Sequence, residues 1–217
     1  MLKDEDREKE RVRRLYAHEE QCYVTGIKLV AGIDEAGRGP LAGPVVAGAV
    51  ILPPFIFLPK LNDSKLVSEK DRNLLYQKIN SLAVAVGIGE VSVELIDQYN
   101  ILEATKIAMK QAIENLGVTP DFLLIDAVKL TDSRIPQKNI IKGDRVSASI
   151  AAASIIAKVH RDKIMRELHE KYPLYGFARH KGYGTQEHLE ALAKYGPCPH
   201  HRKSFAPVKE AWHVQSR

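Results

Sequence analysis

Hydrophobic residues in this chain fall into short unbroken runs in its first half and into helically spaced sets elsewhere. Leu29 to Ile33 is apolar on both faces of a pleat, and the run closes on two acids, Asp34 and Glu35. A strand apolar on both faces is covered above and below by helices, so it belongs at the centre of a sheet. Val45–Leu52 reads the same way, Leu82–Val91 supplies a third strand, and Phe122–Ile125 a fourth that ends at Asp126. Ser68 caps a helix over SEKDRNLLYQKI. Residues 99–116 have amphipathic helical spacing, stopped by Gly117 with Pro120 just beyond. Residues 146–171 make a long helix, Ala/Ile-rich and therefore buried at its start, then basic; a shorter helix runs from Thr185 to Lys194. Residues 3–21 form a charged helix that packs through Val12, Leu15 and Tyr16, and the tail from Gly196 carries no clear element. The pattern predicts an α/β fold, a mixed sheet with helices on both faces and a helical C-terminal part.

Bulk properties narrow the picture. A chain of 217 residues with 45% apolar and 27% charged residues has material for one large core and is not globally disordered. A net charge of +5 suits a polyanionic partner without demanding one. Cys22 and Cys198 stand alone, so they read as reduced thiols rather than a disulfide or zinc framework. Residues 40–59 are uncharged and long enough to cross a bilayer, but Pro40, Pro44, Pro53, Pro54 and Pro59 exclude one helix there. The charged N-terminus lacks the apolar core of a signal peptide. The expectation is a soluble, cytoplasmic monomer that does not enter a membrane.

The acids carry the chemistry. On an ideal strand Asp34 and Glu35 point to opposite faces, so both serve one site only if the strand ends there. Gly37 and Gly39 fit that geometry, because they let the backbone turn and approach a ligand closely. Asp126 follows four apolar residues, a costly place for a carboxylate unless it is paired or bound to metal. If the two strands are neighbours, three carboxylates meet beyond one end of the sheet, where ligands of α/β sheets commonly sit. Asp144 precedes the long helix and is either its cap or a fourth ligand. Acids without accompanying histidine or cysteine suit Mg²⁺ or Mn²⁺, and such pairs of ions serve phosphoryl chemistry.

The segments GIDEAGRGPLAGPVVAGAVIL, LNDSKLVSEKDR, LLIDAV, GDRVSASIAAASIIAKVHRD, GYGTQEH and HRKSFAPV, in that order, closely resemble bacterial ribonuclease HII, the type 2 ribonuclease H family, over about residues 27–207. The resemblance implies a ribonuclease H-like fold, with residues 1–26 as an N-terminal helical extension, 27–183 as the catalytic domain and 184–217 as a helical, basic segment packed on it. It implies an endonuclease that hydrolyses the RNA strand of RNA–DNA hybrids and incises 5′ of single ribonucleotides in duplex DNA, leaving 3′-hydroxyl and 5′-phosphate ends. The family's catalytic metal ligands fall on Asp34, Glu35, Asp126 and Asp144, with two Mn²⁺ or Mg²⁺ ions. Its substrate contacts fall on Gly37, Arg38 and Gly39, which meet the 2′-hydroxyl largely through backbone, on Tyr183, and on Ser64 and Lys65. The sibling ribonuclease HIII is the alternative, a hybrid nuclease with an extra N-terminal domain and without Gly-Arg-Gly-Pro after the acids; this chain has GRGP and only about 26 residues before its first strand.

Basic residues supply the expected grip on phosphates: Lys158, Arg161 and Lys163 on the long helix, Arg179, His180 and Lys181 before Tyr183, and His200, His201, Arg202 and Lys203 later. Arg166 reads as a solvated surface charge. Two rival readings compete, a metal-independent ribonuclease using His180 and His201, and a non-catalytic duplex-binding module using the basic tail.

Overall fold

In the computed structural model, which describes residues 2–215, a five-stranded sheet runs in the order β3-β2-β1-β4-β5. Its strands are β1 (Val30–Ala36), β2 (Val45–Ile51), β3 (Ala85–Val91), β4 (Phe122–Asp126) and β5 (Gln137–Ile140). The first three form an antiparallel meander; β1, β4 and β5 are parallel. The sequence reading missed β5, because QKNI is polar and its three outer residues are not buried.

Nine helices surround the sheet among the described residues: α1 (Leu2–Leu15), α2 (Ala17–Val24), α3 (Glu69–Leu82), α4 (Val93–Tyr99), α5 (Ile101–Glu114), α6 (Ala148–Lys171), α7 (Phe177–His180), α8 (Gln186–Tyr195) and α9 (Ala206–Gln215). The expected 3–21 helix is two helices meeting at Tyr16. The expected 99–116 helix begins at Ile101, because the Asn100 side chain accepts from the N–H groups of Leu102 and Glu103 and sets its start. The tail that showed no element carries α9, whose Val208 is buried against Leu41 and Leu192.

One face of the sheet packs on α6 and the other on α5. Helix backbones approach the strands so closely that side chains would not fit between them. A Cβ on Gly32 would lie 2.0 Å from the Ser149 carbonyl carbon, and one on Gly89 would lie 1.9 Å from the Ala108 oxygen. The small residues that open α6 allow this approach, and it seats the start of α6 against β1.

The N-terminal extension is bound into this arrangement. Val12, Leu15 and Tyr16 are buried, as their spacing predicts. Glu19 of α2 is 0% exposed and reaches the start of α6, where it accepts from Ser147 Oγ at 2.6 Å and from the Ser149 N–H at 2.8 Å. Ser147 is itself the cap of α6, accepting from the Ile150 N–H. A carboxylate at a helix N-terminus meets unpaired N–H groups and the positive end of the helix dipole.

Candidate active site

Strand pairing places the first two acids. β1 and β4 run parallel with Ile33 opposite Ile125, so Asp34 and Asp126 leave the sheet side by side at its carboxyl end. Both follow residues on the α6 face, Gly32 in one strand and Leu124 in the other. After β5 the backbone turns through Lys142 in the left-handed region (φ 57°) into a short 3₁₀ helix, Gly143–Arg145. That turn brings in Asp144, which is 6% exposed. Asp144 is not the cap of α6, a role taken by Ser147.

One carboxylate oxygen each from Asp34, Asp126 and Asp144 lies within 4.8 Å of the others. Glu35 stands outside this group. Its Oε1 lies 3.5 Å from Arg38 Nη1, and its Oε2 is buried with no hydrogen-bond partner. Asp34 accepts the Glu35 N–H at 2.8 Å, which orients its carboxylate.

The cluster is strained without a cation. Burial holds Asp34 well above the usual carboxylate range, and the charges of Glu35 and Asp126 push it further. Burial also raises Asp144, to about 6, with Asp63 and Asp126 adding to it. Glu35 is raised by burial, against which Arg38 acts. A divalent ion offsets both the burial and the repulsion, and an all-oxygen donor set is what Mg²⁺ and Mn²⁺ accept. The orphaned Glu35 oxygen fits the same demand. The residues therefore fit a hard divalent metal.

Ser64 and Lys65 stand in different surroundings. Ser64 is buried and receives a hydrogen bond from Ser154 Oγ at 2.9 Å, so it is a packing contact with α6. Lys65 is exposed, and its charge acts on Glu35 and Asp144. Beside them is an acid to which the sequence reading gave no role. Asp63 is buried, accepts the Lys65 N–H at 2.9 Å and pairs with Arg145 at 3.2 Å, and its charge helps to raise Asp144. Its signal was its place in LNDSKLVSEKDR, where the resemblance gave roles to Ser64 and Lys65 and none to Asp63.

Arg38 and Gly39 are exposed beside the acids, and Tyr183 lies against them at 44% exposure. The two glycines have different reasons. Gly37 has φ +98°, and a Cβ there would strike Arg161 Nε at 2.1 Å. Gly39 has an ordinary φ, and its Cβ would meet only Tyr183 Cε1, at a comfortable 3.5 Å. The fold demands the first glycine and not the second.

Several basic residues are not where a phosphate grip requires. Arg161 is 1% and Arg202 0% exposed, and His201 is buried as well. These two arginines and His201 face inward, so the expectation of backbone contacts fails for them. The reason is local. Loop 37–44 turns carbonyls into the interior, and guanidinium groups satisfy them. Burial pulls Arg161 down to about 10 and Arg202 to about 9, which leaves both charged at neutral pH. Arg166 is half-buried and pairs with Glu69 at 3.4 Å, as a surface charge would.

His201 sits in a chain of rings. Cys198 N–H donates to its Nδ1 at 2.9 Å, and its Nε2 lies 3.0 Å from His188 Nε2. His188 Nδ1 lies 2.9 Å from the Tyr183 carbonyl. A single proton arrangement satisfies all three contacts. His188 donates from Nδ1 to Tyr183 and accepts at Nε2 from His201, and both rings are neutral. A general acid–base pair of His180 and His201 is excluded by this placement, because His201 has no access to a substrate.

A mixed sheet of this order, with two carboxylates at the ends of adjacent parallel strands and a third brought to them by a 3₁₀ turn, defines a ribonuclease H-like hydrolase. The family model for ribonuclease HII matches residues 31–208. A ribonuclease HII of Acetivibrio thermocellus is 59% identical over 200 residues, covering 92% of this chain and 78% of that protein. One of Geobacillus thermodenitrificans is 55% identical over 218 residues, covering 99% and 84%. Among solved structures, ribonuclease H2 of Pyrococcus horikoshii superposes with a TM-score of 0.73 at 24% identity, over 87% of this chain and 99% of that one. Bst-RNase HIII in complex with Mn²⁺ gives 0.65 at 20% identity, over 87% and 71%. This chain belongs to the ribonuclease HII family. It is a ribonuclease H, an endonuclease that hydrolyses the RNA strand of RNA–DNA hybrids.

Proposed function

We propose that the enzyme acts only with a divalent ion, Mn²⁺ or Mg²⁺, held by Asp34, Asp126 and Asp144 with Glu35 beside them, and that it also incises 5′ of single ribonucleotides in duplex DNA. The observation that carries the reading is the convergence of three acidic oxygens within 4.8 Å next to the exposed Arg38–Gly39 backbone.

Bound there, the metal supplies activation of a water and charge neutralisation at the departing 3′-oxygen. The protein's share is positioning. Asp34 is oriented by the Glu35 N–H, and Asp126 accepts the Gly143 N–H at 2.9 Å, so both carboxylates are held before anything binds. Arg38 balances Glu35 at the mouth of the site. Gly37, Arg38 and Gly39 present backbone to the ribose 2′-hydroxyl, the group that separates RNA from DNA at a site. Tyr183 stacks beside the sugar that follows, and Lys65 faces a phosphate while Ser64 seats its loop. The 2′-hydroxyl is recognised and not used as nucleophile, so the products carry 3′-hydroxyl and 5′-phosphate ends.

End-group analysis of a DNA duplex with one embedded ribonucleotide tests this, run with Mg²⁺, with Mn²⁺ and with EDTA. A single nick with a 5′-phosphate on the fragment beginning at the cut is expected with either metal and not with EDTA. A 2′,3′-cyclic phosphate, or cleavage that survives EDTA, sinks the reading.

A further inference from the structure

Arg161 and Arg202 are the two largest fully buried side chains, and among the described residues neither has a carboxylate at ion-pair distance. Burying an unpaired guanidinium costs several kcal/mol, so its hydrogen bonds must account for it. Arg161 donates from Nε to the Pro44 carbonyl (3.0 Å), from Nη2 to Ala42 (3.1 Å) and from Nη1 to Lys181 (3.1 Å). Arg202 donates from Nη2 to Gly37 (2.6 Å), from Nη1 to Arg38 (3.0 Å) and from Nε to Gly43 (3.0 Å). Its Nη2 also reaches Gly43 and Pro44. Every acceptor is a backbone oxygen of the 37–44 loop or of Lys181, two residues before Tyr183.

The consequence lies on the other side of those peptide units. In a trans peptide the C=O and the following N–H point in opposite directions. Drawing the Gly37 and Arg38 carbonyls inward turns the N–H groups of Arg38 and Gly39 outward. Among the described residues those two N–H groups have no acceptor, and both residues are exposed. Arg161 ties the same loop to the segment that ends in Tyr183, and the Leu41 N–H reinforces the join by donating to the Gly182 oxygen at 2.8 Å.

We propose that Arg161 and Arg202 are positioning residues for ribose recognition: without touching the substrate, they aim the Arg38 and Gly39 N–H groups and hold them in register with Tyr183. This rests on the reading of the site given above. Lysine cannot replace either residue. An ammonium is a point donor and cannot span carbonyls that a planar fork reaches together.

The test compares wild type with Arg202→Lys and Arg161→Lys in Mn²⁺. It measures kcat/KM for nicking the single-ribonucleotide duplex and the Ki of the matching all-DNA duplex as competitor, across a salt series. Each lysine variant is expected to lower kcat/KM on the order of 100-fold, the cost of a slight misplacement of positioning groups. The all-DNA Ki should stay within about twofold and keep its salt slope, because a lost phosphate contact would lower that slope by roughly one. Equal weakening of both duplexes with a reduced slope makes the arginines phosphate contacts and overturns the proposal. So does a kcat/KM within threefold of wild type, or loss of a cooperative unfolding transition in both variants, which makes them requirements of the fold alone. Wild type that fails to nick the duplex overturns the proposed function instead.

Discussion

The Asp126 carboxylate accepts a hydrogen bond from the backbone N–H of Gly143 at 2.9 Å. The acid at the tip of β4 therefore also fixes the turn that delivers Asp144, and the two cannot be displaced independently. The close packing of Gly143 against Ile150 of α6 completes the mount, since a Cβ there would lie 2.5 Å from Ile150 Cδ1.

Asp34→Asn separates catalysis from stability. The amide oxygen still accepts the Glu35 N–H, but one charge leaves a crowded, buried group. Cleavage should fall by at least roughly 100-fold, as several kcal/mol of transition-state stabilisation are lost. The metal-free protein should unfold about 2–4 °C higher, equivalent to about 1 kcal/mol for a chain of this size. Scanning calorimetry with and without Mn²⁺ checks both halves, and the Mn²⁺-induced rise should shrink in the variant. A lower metal-free midpoint would count against mutual repulsion in the cluster.

Gly37→Ala and Gly39→Ala should fail in different ways. At Gly37 the positive φ and the Arg161 side chain oppose any Cβ, so a loss of about 1–3 kcal/mol in stability is expected. At Gly39 the Cβ has room, so unfolding should shift by no more than about 0.5 kcal/mol. Its effect should appear as a fall of roughly tenfold or more in kcat/KM, because the methyl group occupies space that the substrate needs. Urea titration and steady-state kinetics on the same preparations distinguish the two.

Glu19 should matter through its oxygens and not its charge. Glu19→Ala leaves the Ser149 N–H and the Ser147 hydroxyl unpaired in the interior, a cost of about 1–3 kcal/mol. Glu19→Gln keeps an acceptor oxygen and should lie close to wild type. Burial raises the Glu19 pKa, so its ionisation in the folded state opposes folding. That contribution favours folding fully below the unfolded pKa and is lost as pH rises through the folded one. Glu19→Gln should therefore gain on wild type as pH rises, read from denaturation midpoints at pH 5 and pH 8.

The ring chain at Tyr183 gives the opposite dependence. His201 is held down to about 4, by burial first and then by His188, His200 and His180. The unfolded chain takes up a proton near pH 6.5 and the folded chain does not until about 4. Stability should therefore fall as pH is lowered across that window, by at most about 3 kcal/mol from this group. Protonating His188 at Nε2 would set it against the His201 Nε2–H at 3.0 Å, and protonating His201 at Nδ1 would set it against the Cys198 N–H at 2.9 Å. His201→Gln lacks the titration, so the gap between variant and wild type should close or reverse between pH 7 and pH 4.5. Parallel loss in both proteins would sink the assignment.

The sequence by itself determined the central strands, the long buried helix, the strand-end places of Asp34 and Asp126, and the likeness to ribonuclease HII, while it left Asp144 open between a helix cap and a ligand. Apolar runs on both pleat faces and acids at their ends are local patterns, and they survive folding unchanged. It missed β5 because an edge strand can be polar, and α9 because its stability comes from packing Val208 on Leu41. Only the tertiary structure decided that Asp34 and Asp126 are neighbours, since strand order is a long-range choice. It alone separated basic residues that face solvent from Arg161 and Arg202, which face the carbonyls of the 37–44 loop. A guanidinium reads as surface charge in a sequence. Whether it meets water or an inward-turned peptide oxygen depends on backbone directions that no residue pattern encodes.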